Sequence, residues 1–332
     1  MIKYIIVAFL IFPVCFAECV HEVTLTGKEI KSLDAGMQIY VEIEKRFVPV
    51  TEVKLELNKK YNVHVLPPRE RDDYNKKYVQ YYDYARLNTF LNSYNETFKQ
   101  NNYEQITIGK SLQQRDLYAV IPKELKANKK TVVMFCRHHG DEGTANWIVE
   151  GFVEKVFADK EWLGNFQLIL YPMINPDGAE KRTRYNSNGK DLNRCWGGSA
   201  TDEIVAIRTH LQHLLQNIDD KNVVTVLDMH GSFVDDFIYR VPRFFVDLDF
   251  FEMQGQLINQ IAVHDIWQKG NFKLSEGSPG MSRIYLIKTY GFNALTHETI
   301  RNIPLNKGRS VTTLKKQGED VYNAIRELYT RK

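Results

Sequence analysis

Three short runs of nearly unbroken apolar sequence limit what this chain can fold into more than any other feature. Thr131 to Cys136, Phe166 to Met173 and Val223 to Met229 are each of strand length. They do not alternate with polar residues, so both faces of each strand must be covered, as in a sheet with helices on either side. Stretches of helical period lie between and after them: Ile148, Phe152 and Val156, then Ile204, Ile207, Leu211, Leu214, Leu215 and Ile218, then Leu257, Ile258, Ile261 and Ala262. Leu314, Val321, Ile325 and Leu328 form a last set near the C-terminus. This alternation predicts an α/β domain with a mixed, largely parallel central sheet flanked by helices. Ligand sites in such sheets lie beyond the carboxyl ends of the strands, so the residues after each run are where chemistry is to be sought.

The first part of the chain reads differently. Lys3 gives a positive start, Ile5 to Phe16 is apolar apart from Pro13, and Cys15-Phe16-Ala17 offers a small residue at a cleavage position. Residues 1–17 are read as a secretion signal, which places the mature protein outside the cell or in the periplasm. An uncleaved anchor is the other reading, disfavoured because the run falls short of the ~20 residues that a bilayer requires. No second stretch suits a membrane span. Residues 18–70 form a small β-rich region: Ile39, Val41 and Ile43, Val53, Leu55 and Leu57, and Val63 and Val65 alternate as half-buried strands do. Either these strands make a separate annex or they extend the edge of the main sheet. Pro67-Pro68 and the charged residues after it mark the boundary with the α/β domain, residues 71–332.

Composition excludes several classes. Lys and Arg number 44 against 41 Asp and Glu, a net +3 in 332 residues, too small a surplus for a protein built to neutralise nucleic-acid phosphates. Once Cys15 leaves with the signal, Cys19, Cys136 and Cys195 remain. An odd number cannot all pair within one chain, so disulfides do not frame the fold. Asn95-Glu-Thr97 is a glycosylation sequon, with meaning only on a eukaryotic secretory route.

The segments after the three apolar runs carry His138-His139-Gly-Asp-Glu142, Asn175-Pro-Asp-Gly178 and His230-Gly-Ser232. Two His and one Glu suit the ligand preferences of zinc, and three protein ligands leave a fourth position for water, the layout of a catalytic site. Neither a lone His nor a His-x-x-Glu pair is specific. Order adds the specificity: His139-Gly-Asp-Glu142, Asn175-Pro-Asp-Gly178, Arg184 with Asp191-Leu-Asn-Arg194, Asp228-Met-His230-Gly and Thr296-His-Glu298 follow one another. In this the chain, over roughly residues 78–330, resembles the zinc carboxypeptidases related to carboxypeptidase A. It is most similar to the cytosolic-carboxypeptidase-like branch, through Trp147-Ile-Val-Glu-Gly-Phe152 and Glu276-Gly-Ser-Pro-Gly-Met-Ser-Arg283.

The resemblance implies that His139, Glu142 and His230 hold one Zn2+. A metal of this kind lowers the pKa of bound water from 15.7 to about 7 and so supplies a nucleophile at neutral pH. Glu298 is then the general base, taking the water proton and passing it to the departing amine. Arg184 points at the carbonyl oxygen as negative charge develops there. Asn193 and Arg194 clamp the substrate's terminal carboxylate, which a guanidinium matches with parallel donors. Asp191 and Asp228 are read as partners of the ligands rather than as ligands. Arg283 either lines the side-chain pocket, where it suits an acidic C-terminal residue, or is a surface arginine. Tyr285 and Tyr290 both stand where the family has a closing tyrosine, and neither is chosen. Cys195 and Cys136 lie near the site in sequence or are plain buried thiols.

These implications predict a secreted zinc metallocarboxypeptidase whose partner is a peptide or peptide-like molecule with a free C-terminal carboxylate. The alternative keeps fold and metal but makes the chain an amidase or deacylase of peptidoglycan stem peptides or N-acyl amino acids. A zinc-holding binding protein without turnover is the third reading, and it has no use for Arg184 or Glu298.

Overall fold

The computed structural model describes residues 21–31, 38–43, 46–50, 53–66, 74–198 and 200–330. The proposed signal, residues 1–17, lies outside them, as does the Pro67-Pro68 boundary. The chain divides into two compact units, one running to Tyr74 together with Asn188–Lys190, the other formed by Asn75–Ser187 and Asp191–Lys332.

The first unit contains strands β1 (His21–Thr26), β2 (Gln38–Ile43), β3 (Arg46–Pro49) and β4 (Lys60–Leu66) in an antiparallel sheet of order β1-β4-β2-β3. This sheet is its own and does not extend the main one. Ile39, Val41 and Val63 bury one face, with Ile30 of the short helix Gly27–Lys31, as period-two alternation requires. The expected strand at Val53–Leu57 is absent. Its backbone pairs instead with the start of that helix, Lys28 N donating to Leu57 O at 2.9 Å, and Leu57 is left exposed while Leu55 turns inward.

The second unit is built on an eight-stranded mixed sheet. Its strands are β5 (Tyr103–Lys110), β6 (Asp116–Pro122), β7 (Lys130–Cys136), β8 (Phe166–Tyr171), β9 (Val223–Ser232), β10 (Phe237–Arg240), β11 (Phe272–Leu274) and β12 (Ala294–Ile300). Their order is β11-β10-β12-β9-β7-β8-β6-β5. The central four, β12, β9, β7 and β8, run parallel. Antiparallel pairing joins β10 to β12 on one flank and β6 to β8 and β5 on the other.

Both faces of the sheet are covered. Val132, Met134 and Cys136 of β7 pack with Leu227 and Met229 of β9 under the helices Tyr84–Gln100, Thr144–Ala158, Leu248–His264 and Val311–Thr330. Val133 and Phe135 point the other way, into a second core with Ile169, Tyr171 and Val226 under the helices Asp202–Leu215 and Ser282–Tyr290. That is why the three apolar runs carry no polar alternation. Among the described residues, no helix is long and apolar enough to cross a membrane.

Candidate active site

The parallel strands deliver the site at their carboxyl ends. β7 stops at Cys136, and Arg137 then takes a left-handed conformation, φ 67°, which costs an ordinary L-residue roughly 1–2 kcal/mol. Its guanidinium offsets the strain. Buried, it donates to Tyr81 Oη (2.9 Å), Tyr82 O (2.9 Å), Gly140 O (2.7 Å) and Asn146 Oδ1 (2.8 Å). The turn so fixed throws His138 and His139 to different sides and brings Glu142 back under His139.

The Asn175-Pro-Asp-Gly178 block is the bracket beneath that turn. Asn175 caps the helix Pro176–Lys181 by accepting from Gly178 N (2.9 Å), and its amide donates to His138 O and Arg184 O, both at 3.2 Å. Asp177 is buried and accepts from Ser111, Gln113, Arg115 and Ser187. Gly140 lies against Gly178 so closely that a Cβ on Gly140 would stand 2.0 Å from the Gly178 carbonyl carbon. The block therefore fixes the His139 turn relative to the Arg184 loop.

His230 lies inside β9, which continues to Ser232, rather than just past a strand end. Glu298 likewise lies inside β12, in register with His230 on the adjacent strand. Side chains paired in this way share a face of the sheet. His139, Glu142 and His230 are all buried, and their ligand atoms lie within 4.8 Å of one another. His139 Nδ1 is 2.8 Å from Glu142 Oε1, His230 Nδ1 is 2.9 Å from Glu142 Oε2, and the two Nδ1 atoms are 3.1 Å apart.

The opposite nitrogens of these rings both face carboxylates: His139 Nε2 is 3.2 Å from Asp191 Oδ1 and His230 Nε2 is 2.9 Å from Asp228 Oδ2. Each ring thus stands between two carboxylates, Glu142 on the Nδ1 side and Asp191 or Asp228 on the Nε2 side; with a cation beside Glu142, Nε2 keeps the proton it gives to its carboxylate and Nδ1 is left to bind. The two Nδ1 atoms and the Glu142 carboxylate converge in one buried space, where either protons on the rings or a cation can balance the carboxylate. Carboxylate-backed imidazoles are a usual arrangement at zinc, and the donor set of two nitrogens and a carboxylate fits that metal. Burial pushes the Glu142 carboxyl up, but the two imidazoles against it outweigh burial and hold it well below the usual carboxylate range.

A second cluster, His138, Asp228 and His230, also has ligand atoms in range, but its geometry is closed. Trp196 Nε1 donates to His138 Nε2 at 2.9 Å, and His138 Nδ1 meets Asp228 Oδ1 at 2.8 Å, so both ring nitrogens are used within the protein. Sequence reasoning passed over His138 because two adjacent histidines look alike. The resemblance, through His139-Gly-Asp-Glu142, singled out His139.

Arg184 lies beside the triad. Its Nε and Nη2 donate to Asp191 Oδ2 (3.0 and 2.8 Å), and its Nη1 is 3.3 Å from His139 Nδ1. Burial raises the Asp191 carboxyl, but the Arg184 guanidinium beside it prevails and keeps it far below its ordinary range. Asn193 is buried with its amide nitrogen 3.3 Å from His230 Nε2, while the Arg194 side chain is 43% exposed and touches Asn193 O at 2.9 Å. Gly231 approaches Glu142 so tightly that a Cβ there would lie 2.9 Å from the Glu142 Cβ.

Arg283 is 3% exposed, which removes the surface-arginine reading. It is the second residue of the helix Ser282–Tyr290, donates to Ser275 O at 3.2 Å and lies 5.9 Å from the Tyr239 ring. Tyr285 packs beside Trp196 and Tyr290 against Phe292, so both serve the second core. Cys136 and Cys195 are buried thiols outside any disulfide among the described residues, and burial pushes the Cys136 thiol far up. Arg301 was not anticipated. It reaches back from beyond β12 to Asp141 Oδ2 (2.7 Å), 3.9 Å from Glu142 Oε1, with its guanidinium 3.5 Å from the centre of the Phe233 ring.

With this geometry in hand, comparison with known proteins gives a consistent picture. Residues 128–235 match the family described as the succinylglutamate desuccinylase/aspartoacylase catalytic domain. A stretch of 115 residues, 33% of this chain, is 30% identical to mouse cytosolic carboxypeptidase 2, of which it covers 13%. The chain thus spans only a small part of the length of such relatives. Among solved structures, a metallo-carboxypeptidase from Burkholderia cenocepacia aligns with TM-score 0.62 and 18% identity over 88% of this chain and 80% of that one. A metallo-carboxypeptidase from Pseudomonas aeruginosa, solved with (2-guanidinoethylmercapto)succinic acid, also gives TM-score 0.62 and 18% identity, over 94% of this chain and 87% of that one.

Proposed function

We propose that the chain, which shares the fold of metallo-carboxypeptidase structures and is similar over a third of its length to cytosolic carboxypeptidase 2, is a zinc metallocarboxypeptidase that hydrolyses the last amide bond of a peptide. The observation that carries the reading is the convergence of His139, Glu142 and His230, with Arg184 Nη1 3.3 Å from His139 Nδ1 and Glu298 in register with His230. The metal supplies water activation and polarisation of the scissile carbonyl. The other steps belong to the protein. Glu298 accepts the proton of the attacking water and returns it to the amine as the C–N bond breaks. Arg184, braced by Asp191, offers its remaining guanidinium edge to the oxygen that gains charge, where a positioned donor is worth ~10² to 10³ in rate. Asn193 and Arg194 bind the terminal carboxylate, and an internal peptide bond has no such group to offer them.

The preference we assign is for an acidic C-terminal residue. Arg283 supports it, because a buried guanidinium gains most from a substrate that brings a carboxylate. Secretion rests on the N-terminal sequence alone. The partner is accordingly an extracellular or periplasmic peptide with a free carboxylate.

A second reading is favoured by one observation. The matched family is named for desuccinylation of succinylglutamate and deacylation of acylated aspartate, and the match covers the Arg184–Arg194 loop and both metal-facing strands while stopping short of Glu298 and Arg283. An amidase or deacylase of N-acyl amino acids or stem peptides would use the same carboxylate clamp. One panel separates the two: purified protein of known zinc content, assayed on peptides ending in glutamate, lysine or phenylalanine and on N-acyl glutamate and aspartate. The carboxypeptidase reading expects release of C-terminal glutamate above all. Faster hydrolysis of the acyl amino acids would replace it with the second.

A further inference from the structure

Asp228 occupies β9 two residues before His230 and is buried. Both its oxygens are engaged. Oδ1 meets His138 Nδ1 at 2.8 Å, while Oδ2 meets His230 Nε2 at 2.9 Å and also accepts from Ser282 Oγ. Because Trp196 donates to His138 Nε2, the proton of that ring sits on Nδ1 and is given to Asp228. The His138 ring lies parallel to His230, 5.4 Å between centroids and 2° between planes. Ser282 has a second engagement: its backbone N–H donates to Asn193 Oδ1 at 2.9 Å, which turns the Asn193 amide nitrogen toward His230, 3.3 Å from Nε2. Asn193 Nδ2 and the proton-bearing His230 Nε2 are both donors, so that approach is proximity and not a hydrogen bond, and the links form an open chain from His230 through Asp228 and Ser282 to Asn193. It joins residues remote in sequence, and among its members only His230 and Asn193 carry a role in the proposed reaction.

We propose that His138 and Ser282 are positioning residues that act through Asp228, so that one carboxylate orients both the metal ligand His230 and the clamp residue Asn193, and metal affinity and grip on the substrate's terminal carboxylate are set together. The physical reason is that Asp228 is buried and charged. Each of its donors limits where the carboxylate can sit, and loss of one leaves it to re-seek a partner at the expense of the others. Ser282 is the sharper of the two, since it touches Asp228 with its side chain and Asn193 with its backbone. The inference rests on the carboxypeptidase reading.

The test uses the full zinc-loaded protein and two readouts: the zinc dissociation constant, by competition with a chromogenic chelator, and KM and kcat on the best peptide of the panel. Ser282→Ala is expected to weaken zinc binding by about tenfold, the lower end of what loss of an outer partner of a metal ligand brings, and to raise KM several-fold with a smaller change in kcat. His138→Phe retains a ring against His230 but cannot donate, and it is expected to move both quantities in the same sense. Ser282→Thr keeps the hydroxyl and should restore both. A merely structural role would lower the melting temperature of Ser282→Ala and leave the dissociation constant and KM where they were, which would overturn the inference. So would movement of only one of the two quantities. If Ser282→Ala does not fold, His138→Phe decides by the same criteria. Wild-type protein that holds no zinc or cleaves no peptide refutes the carboxypeptidase reading itself. Wild-type protein that does both while the variants match it refutes only the shared carboxylate.

Discussion

The residues proposed to hold the metal and those proposed to grip substrate are set into the fold differently. His139, Glu142 and His230 are buried, and the outer nitrogen of each imidazole meets a carboxylate that is itself held, Asp191 by Arg184 and Asp228 by Ser282. Arg194, in the loop that would grip the substrate, is 43% exposed and anchored mainly through a carbonyl next door. A metal ligand must be in place before the ion arrives, because freezing a mobile side chain costs entropy that binding would have to supply. A clamp for a substrate that comes and goes has to stay open. Every residue proposed to hold the metal is buried, whereas on the substrate side Asn193 and Arg283 are buried and Arg194 is exposed.

The comparison can be broken at several points. The largest expected effect is metal removal: dialysis against a chelator should abolish hydrolysis and lower the melting temperature, since an ion that binds only the folded state stabilises it, and added zinc should restore both. Glu298→Gln should follow, with kcat reduced by about 10² to 10⁴ while zinc content, measured by mass spectrometry, remains that of wild type. A concomitant loss of zinc would mean that Glu298 belongs to the metal-holding set. Arg194→Ala tests the exposed part of the proposed clamp. Removing a charged hydrogen-bond partner of about 1.5–3 kcal/mol should raise KM roughly 10- to 100-fold with zinc affinity untouched. Gly231→Ala is the reciprocal experiment, since the added Cβ presses on Glu142. It should weaken zinc by about tenfold, as loss of ligand orientation does, and change KM little. The smallest effect is expected from Arg283→Ala, a selective loss of turnover on peptides ending in glutamate, read as a fall in the glutamate-to-phenylalanine kcat/KM ratio.

The two sets were also unequally legible in sequence. His139 and Glu142 lie in one turn beyond β7, and the structure brings them together with His230 from β9, the set that the resemblance implied. The apolar runs could not tell that His230 and Glu298 lie within strands, because β9 and β12 continue to Ser232 and Ile300 on polar as well as apolar residues, held by pairing with each other. Nor did anything in the chain mark Arg137 as the residue that accepts a positive φ, or Arg301 as the partner of Asp141, since these contacts depend on groups that meet only after folding. Val53–Leu57 had the alternation of a strand but spends its backbone on the neighbouring helix start, a competition that local pattern does not reveal.

By itself the sequence determined the layered α/β architecture and the set of chemically capable side chains, because burial period and residue type are local properties written in order along the chain. Tertiary structure decided which of two adjacent histidines turns toward Glu142, which nitrogen of each ring is available to a metal, and that Asp228 serves three partners at once. Those are matters of hydrogen-bond direction between residues as many as ninety positions apart, and such directions come into being only when the strands that carry them lie side by side.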